Sequence, residues 1–68
     1  MIKVGQKVQC KPYAGIRMLG EGVADEVVVG EVVYVNEIHR WFTVEYDKEH
    51  HFRVSFNFND IGDGVWKI

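Results

Sequence analysis

The chain has 68 residues, 47% of them hydrophobic and 13% aromatic, with eight Lys and Arg against ten Asp and Glu for a formal charge of −2. That length suits one domain, residues 1–68, whose stability is expected to be marginal and open to help from self-association. The balance excludes the strong basic excess of non-specific nucleic-acid binders, although a small local basic patch stays open, and no apolar run is long enough to span a bilayer.

Met1 to Lys7 contains no apolar run of signal-peptide length, and the single cysteine, Cys10, fits a reducing compartment. A cytoplasmic location, in a bacterial cell or a phage-infected host, is therefore expected.

The periodicity is that of strands. Val4 to Cys10 alternates, with Val4, Gln6, Val8 and Cys10 on one parity, and predicts the first strand. Lys11-Pro12 ends it, because proline has no N–H to give to a ladder. Residues 11–26 contain Pro12, Gly15, Gly20 and Gly22 and lose the alternation. They predict a long loop, with room for a short helical turn at Ile16–Leu19. Ile16, Met18 and Leu19 either close over the barrel as a lid or form an apolar patch for a partner.

Val27 to Asn36 is dense in β-branched residues and predicts the strongest strand. Gly30 marks an expected bulge or bend. Val32 to Val35 is apolar on both parities, which implies either a central strand covered on both faces or cover from a second copy. Trp41 to Tyr46 follows a short connection, with Phe42, Val44 and Tyr46 on one face and Trp41, Thr43 and Glu45 on the other. After the polar turn Asp47–His50, Phe52, Val54, Phe56 and Phe58 share one parity. Residues 59–64 predict a tight turn with room for one turn of 3₁₀ helix, and Val65–Ile68 a closing strand beside the first. The expected fold is all-β: a small five-stranded SH3-like barrel with a long loop between strands 1 and 2.

Gly5-Gln6-Lys7-Val8-Gln9-Cys10 is similar to the opening strand of SH3-like and KOW-type barrels, and Gly30-Glu31-Val32-Val33-Tyr34-Val35-Asn36 to their second strand. From Gly30 to Ile61 the chain also resembles small uncharacterised proteins of Firmicutes bacteria and their phages, through His39-Arg40-Trp41-Phe42 and Phe52-Arg53-x-Ser55-Phe56. The resemblance implies a phage or mobile-element protein but supplies no activity. KOW-type RNA binders are usually basic, and this chain is acidic. Peptide-binding SH3 domains expose a row of aromatics, for which Tyr13 and Trp41 are the candidates here.

The candidate binding residues are Arg40, Trp41, Arg53, His39, Thr43 and Tyr13. If the strands at 41–46 and 52–57 pair around their short turn, Trp41, Thr43 and Glu45 share a face with Arg53, Ser55 and Asn57. That face suits a protein partner, since Trp and Arg are enriched at hot spots. It also suits a nucleotide-like ligand stacked on Trp41, its phosphate held by Arg40 and Arg53. The plain structural alternative is a Glu45–Arg53 cross-strand ion pair beside a partly buried Trp41.

Catalysis is not expected, because Cys10 has no recognisable orienting acid or oxyanion-hole motif beside it. Neither a metal nor another cofactor is expected, since His50 and His51 are adjacent and Cys10 has no CxxC partner. The leading expectation is a non-catalytic module that binds and modulates a host protein complex. The alternatives are a homo-oligomer sequestering a nucleotide-like ligand and a KOW-like nucleic-acid binder.

Overall fold

The computed structural model describes residues 2–12 and 27–68. Five antiparallel strands, β1 (Lys7–Cys10), β2 (Val28–Asn36), β3 (Trp41–Tyr46), β4 (Phe52–Asn57) and β5 (Val65–Lys67), lie in the order β4-β3-β2-β1-β5. One 3₁₀ turn, Phe58–Asp60, precedes β5, and no other helix occurs among the described residues. The sheet curls into a half-barrel of the SH3-like plan. Its longest connection, from Cys10 to Val28, joins strands 1 and 2. No helix among the described residues is long and apolar enough to cross a membrane. The helical turn expected at Ile16–Leu19, the lid-or-patch alternative for Ile16, Met18 and Leu19, and the candidate Tyr13 lie outside the described residues.

The inner face follows from the alternation. Val8 and Cys10 of β1, Val32 of β2, Phe42 and Val44 of β3, Phe56 of β4 and Val65 of β5 are buried together. Phe42 stands at the centre, its ring 5.9 Å from that of Phe56 and 6.0 Å from that of Phe58. Phe58 has left the β4 ladder for the 3₁₀ turn yet still packs on the core. The turn therefore begins one residue earlier than the expected 59–64. The N–H of Asn57 donates to the Asp60 carboxylate at 2.8 Å and holds its start.

The first strand is shorter than expected. Lys3 to Gln6 is a tight turn: the Gln6 N–H donates to the Lys3 carbonyl at 3.1 Å, and Gly5 takes φ +92°. Glycine at this third position is what a type II turn requires. The turn moves Val4 out to 65% exposure and brings Ile2 into the core at 3%. Alternation across Val4–Cys10 therefore overextended the strand and hid Ile2. The turn docks on β2 through Gly5 N–H to the Val32 carbonyl (2.8 Å) and Val32 N–H to the Gln6 carbonyl (2.9 Å).

Strand β2 carries the second difference. Its register against β3 slips between Val32 and Tyr34, so the bulge is at Val33 and not at Gly30. The bulge accounts for how the apolar run divides between the two faces. Val32 points in, the slip absorbs one residue, Tyr34 points out and Val35 packs back on the core. Gly30 has another task. A Cβ there would stand 2.5 Å from Val44 Cγ1 and 2.8 Å from the Glu45 carbonyl oxygen. Its missing side chain lets β3 lie close over β2 where the sheet curls.

Candidate functional site

The register sets the outer face of β2, β3 and β4. Trp41, Thr43 and Glu45 lie opposite Asn57, Ser55 and Arg53 in turn. Tyr34 joins them because the bulge resets its parity and pairs it with Thr43. Its ring centroid is 5.2 Å from that of Trp41, with the planes tilted by 43°. Thr43 Oγ1 and Ser55 Oγ share a hydrogen bond of 2.9 Å across the strands. This half of the face is neutral and aromatic. The β2–β3 hairpin tip, residues 37–40, adjoins it, and there Ile38 is 88% exposed.

The other half is charged. Lys7 Nζ donates to Glu31 Oε1 at 2.9 Å, and Glu31 lies directly opposite Glu45. Like charges so placed destabilise a sheet unless other groups compensate. Here they do: Arg53 Nε donates to Glu45 Oε2 at 3.0 Å, and His51 Nδ1 lies 3.0 Å from Glu45 Oε1. The result is a row of positive, negative, negative and positive groups across β1, β2, β3 and β4. Beside it runs a groove of about 360 Å³ walled by Lys7, Glu31, Glu45 and His51, with Val29 and Val33 as its apolar lining.

The candidate residues therefore separate. Trp41 and Thr43 are neighbours on the neutral half. Arg53 shares their face but lies four positions along β4 from Asn57, the residue opposite Trp41. At strand spacing that is about 13 Å. Its guanidinium is engaged with Glu45, which is the ion pair the sequence offered as the plain structural alternative. Arg40 takes φ +61° at the hairpin tip, and its guanidinium carbon lies 5.1 Å from the ring centroid of Phe58, not over Trp41. The Arg40 carbonyl accepts the Phe58 N–H at 3.0 Å, tying the tip to the 3₁₀ turn. His39 is exposed, and its N–H donates to Asn36 Oδ1 at 2.9 Å. Tyr34 and Ile38 were missed at the sequence level. The apolar run Val32–Val35 marks this stretch as ambiguous without saying which residue turns outward.

The β3–β4 turn organises its own polar groups. Asp47 Oδ1 accepts the Glu49 N–H at 3.0 Å, and Asp47 Oδ2 lies 3.0 Å from His50 Nδ1. The His50 ring stacks on Phe52 at 5.1 Å, nearly parallel. Hydrogen bonds from His51 and then Arg53 hold the Glu45 carboxyl below the usual carboxylate range, and one from His50 does the same for Asp47. A depressed carboxylate stabilises the fold above its unfolded pKa and loses that contribution as pH falls through the folded value. Both groups therefore act at neutral pH and are lost only in acid.

Cys10 is fully buried, and burial pushes its thiol up to about 11. The reactive form is the thiolate, so Cys10 is inert at neutral pH while the domain is folded. Alkylation by iodoacetamide at pH 8 is expected only after denaturation. Rapid labelling of the native protein, followed by mass spectrometry, would refute this. Among the described residues no three or more His, Cys, Asp or Glu side chains gather to hold a metal ion.

No protein-family model, curated protein or solved structure matches this chain.

Proposed function

We propose that this domain is a non-catalytic binding module that docks a protein partner on the neutral, aromatic half of its outer face. The observation that carries the reading is the Tyr34–Trp41 ring pair, with Tyr34 48% exposed and Ile38 exposed at the hairpin tip. Such rings offer large contact area at low entropic cost and dominate interface energetics. No charged side chain stands between Trp41, Thr43, Ser55 and Asn57 in the register, so a partner can cover them without desolvating an ion. The resemblance to phage proteins makes a host complex the partner of this proposal.

The nucleotide-sequestration reading has less support. It draws on Arg40 or Arg53 to hold a ligand between subunits, and within one chain Arg40 lies over Phe58 while Arg53 is paired with Glu45. Nucleic-acid binding has less still, given the charge of −2.

The test is affinity capture from bacterial host lysate by wild type, Trp41→Ala and Arg53→Ala. Trp41→Ala is expected to weaken capture by more than about 30-fold, the scale of a hot-spot loss of 2 kcal/mol. Arg53→Ala is expected to retain it. Equal capture by wild type and Trp41→Ala would overturn the surface. Loss on Arg53→Ala alone would move the site to the charged half.

A further inference from the structure

The two outermost strands of the sheet, β4 and β5, are finished differently. β5 is short, and its outer side is taken up: Ile61 bridges Val65, and the Gly62 N–H donates to the Val65 carbonyl at 2.7 Å. β4 is six residues long, pairs with β3 without a bulge, and contains no proline, glycine or lysine. Sheet edges are normally blunted by such devices, because unpaired backbone groups invite another strand. Among the described residues no strand lies beyond β4.

One hydrogen bond shows which backbone groups of β4 face outward. The Phe58 N–H donates to the Arg40 carbonyl at 3.0 Å, and that pair continues the β3–β4 register. Antiparallel ladders alternate hydrogen-bonded and non-hydrogen-bonded pairs. Phe56, Val54 and Phe52 therefore bond to β3, while the backbone groups of Asn57, Ser55 and Arg53 point away from it. The Asn57 N–H is already held by the Asp60 carboxylate, and the His51 N–H by the Asp47 carbonyl. The outward N–H groups left over are those of Arg53 and Ser55.

The geometry points to an antiparallel pairing of β4 with β4 of a second copy of this chain, centred on Val54. In that register Arg53 lies opposite Ser55 of the second copy, and Ser55 opposite its Arg53. Both leftover N–H groups of each chain then meet a carbonyl. Phe52-Arg53-Val54-Ser55-Phe56 alternates apolar and polar identically in either direction. On the inner face Phe52 thus meets Phe56, and Val54 meets Val54. Phe52, 45% exposed in one chain, gains cover. Neighbouring registers do worse. A centre at Ser55 sets Arg53 opposite Asn57, whose N–H is spent. A centre at Arg53 sets two arginines face to face, which destabilises a sheet. A centre between residues turns the apolar face of one strand to the polar face of the other. Two-fold interfaces require this self-complementarity, which makes the occupant a copy of this chain. On the outer face the two Arg53 side chains stand on a diagonal, each held by its own Glu45. The contact is small, so it is expected to form at high micromolar concentration and to dissociate on dilution. It uses an edge and not the Tyr34–Trp41 face, so it is independent of partner docking.

The experiment is sedimentation equilibrium on wild type and Ser55→Pro, with diamide crosslinking of introduced cysteines to fix the register. Wild type is expected to approach twice the chain mass at high micromolar concentration. Ser55→Pro removes an outward N–H and leaves the β3 ladder alone, since edge strands accept proline where the N–H faces out. It is expected to stay at the chain mass. Val54→Cys is expected to crosslink, because directly opposed residues lie within disulfide reach. Ser55→Cys is expected not to, because its counterpart stands on the diagonal. Cys10 is buried and common to both. Wild type that stays at the chain mass overturns the proposal, and so does a folded Ser55→Pro that still associates. Crosslinking of Ser55→Cys in place of Val54→Cys overturns the register. The wild-type arm stands even if Ser55→Pro fails to fold. Trp41→Ala is expected to sediment as wild type does, which separates this result from that of the docking face.

Discussion

Replacing Phe42 with alanine is expected to leave the domain unfolded, or nearly so, at physiological temperature. Phe42 is fully buried near the start of β3 and meets Phe56 of β4 and Phe58 of the 3₁₀ turn. Truncating a buried phenylalanine costs about 3–5 kcal/mol, because the transfer energy is lost and a cavity is left. A chain of this length has a total stability of about 3–10 kcal/mol. The neighbours cannot refill the space: Val44 and Val32 are stiff at χ1 and fixed in the ladder. Urea denaturation followed by tryptophan fluorescence measures the effect. Phe52→Ala is the matched control, since Phe52 is 45% exposed on a strand at the edge of the sheet, and its loss is expected to cost under about 1 kcal/mol. Equal midpoints for Phe42→Ala and Phe52→Ala would mean that the core does not centre on Phe42.

Much of this architecture was legible because alternation is decisive where polar residues fill the opposite parity. Trp41–Tyr46 is bounded in the structure as the sequence bounds it, and its two faces are those expected. The same holds for Arg53, Ser55 and Asn57 facing outward and for the closing strand beside the first. Where both parities are apolar the signal vanishes. Val32 to Val35 reads equally well in either register, so the slip at Val33 and the outward turn of Tyr34 had to come from three dimensions. Val4 misled for a related reason. A valine at the right parity looks like a strand residue, while the type II turn that removes it is signalled only by Gly5.

The candidate site was legible to the same degree. Which residues share a face follows from the strand period, and the Trp41 and Thr43 placements came from it. Where a long side chain reaches does not. Arg40 is next to Trp41 in sequence, but its left-handed backbone and the carbonyl contact with Phe58 N–H send it to another aromatic ring. Arg53 was always able to choose Glu45, and the cross-strand register decided that choice. Within one chain the two arginines therefore turn to different partners, a choice set by local backbone and by register that composition and spacing do not encode.

Gly30→Ala is expected to be nearly as damaging as the loss of Phe42, for the opposite reason. One methyl group must enter a space 2.5 Å from Val44 Cγ1 and 2.8 Å from the Glu45 carbonyl oxygen. The first neighbour is a fully buried β-branched side chain, and the second is backbone within the β3 ladder. Neither can retreat without breaking the pairing of Gly30 with Tyr46 or of Glu31 with Glu45. Overpacking of this kind costs up to about 3 kcal/mol. The lower entropy of an unfolded chain with alanine offsets only about 0.4–1 kcal/mol of it. At about 4–8 °C per kcal/mol for a domain of this size, the fall in Tm is on the order of 10–20 °C. Gly5→Ala separates the two uses of glycine. Nothing lies within 4 Å of a Cβ at Gly5, so its cost is the left-handed backbone alone, about 1–2 kcal/mol. A double-mutant cycle then tests the mechanism at Gly30. Val44→Ala removes the nearer clashing atom, so it should cost less in the Gly30→Ala background than in wild type, a positive coupling between neighbours. The Glu45 oxygen remains in the way, so rescue should be partial. Strict additivity would show that Gly30 and Val44 do not compete for this space, and that the sheet curls there for some other reason.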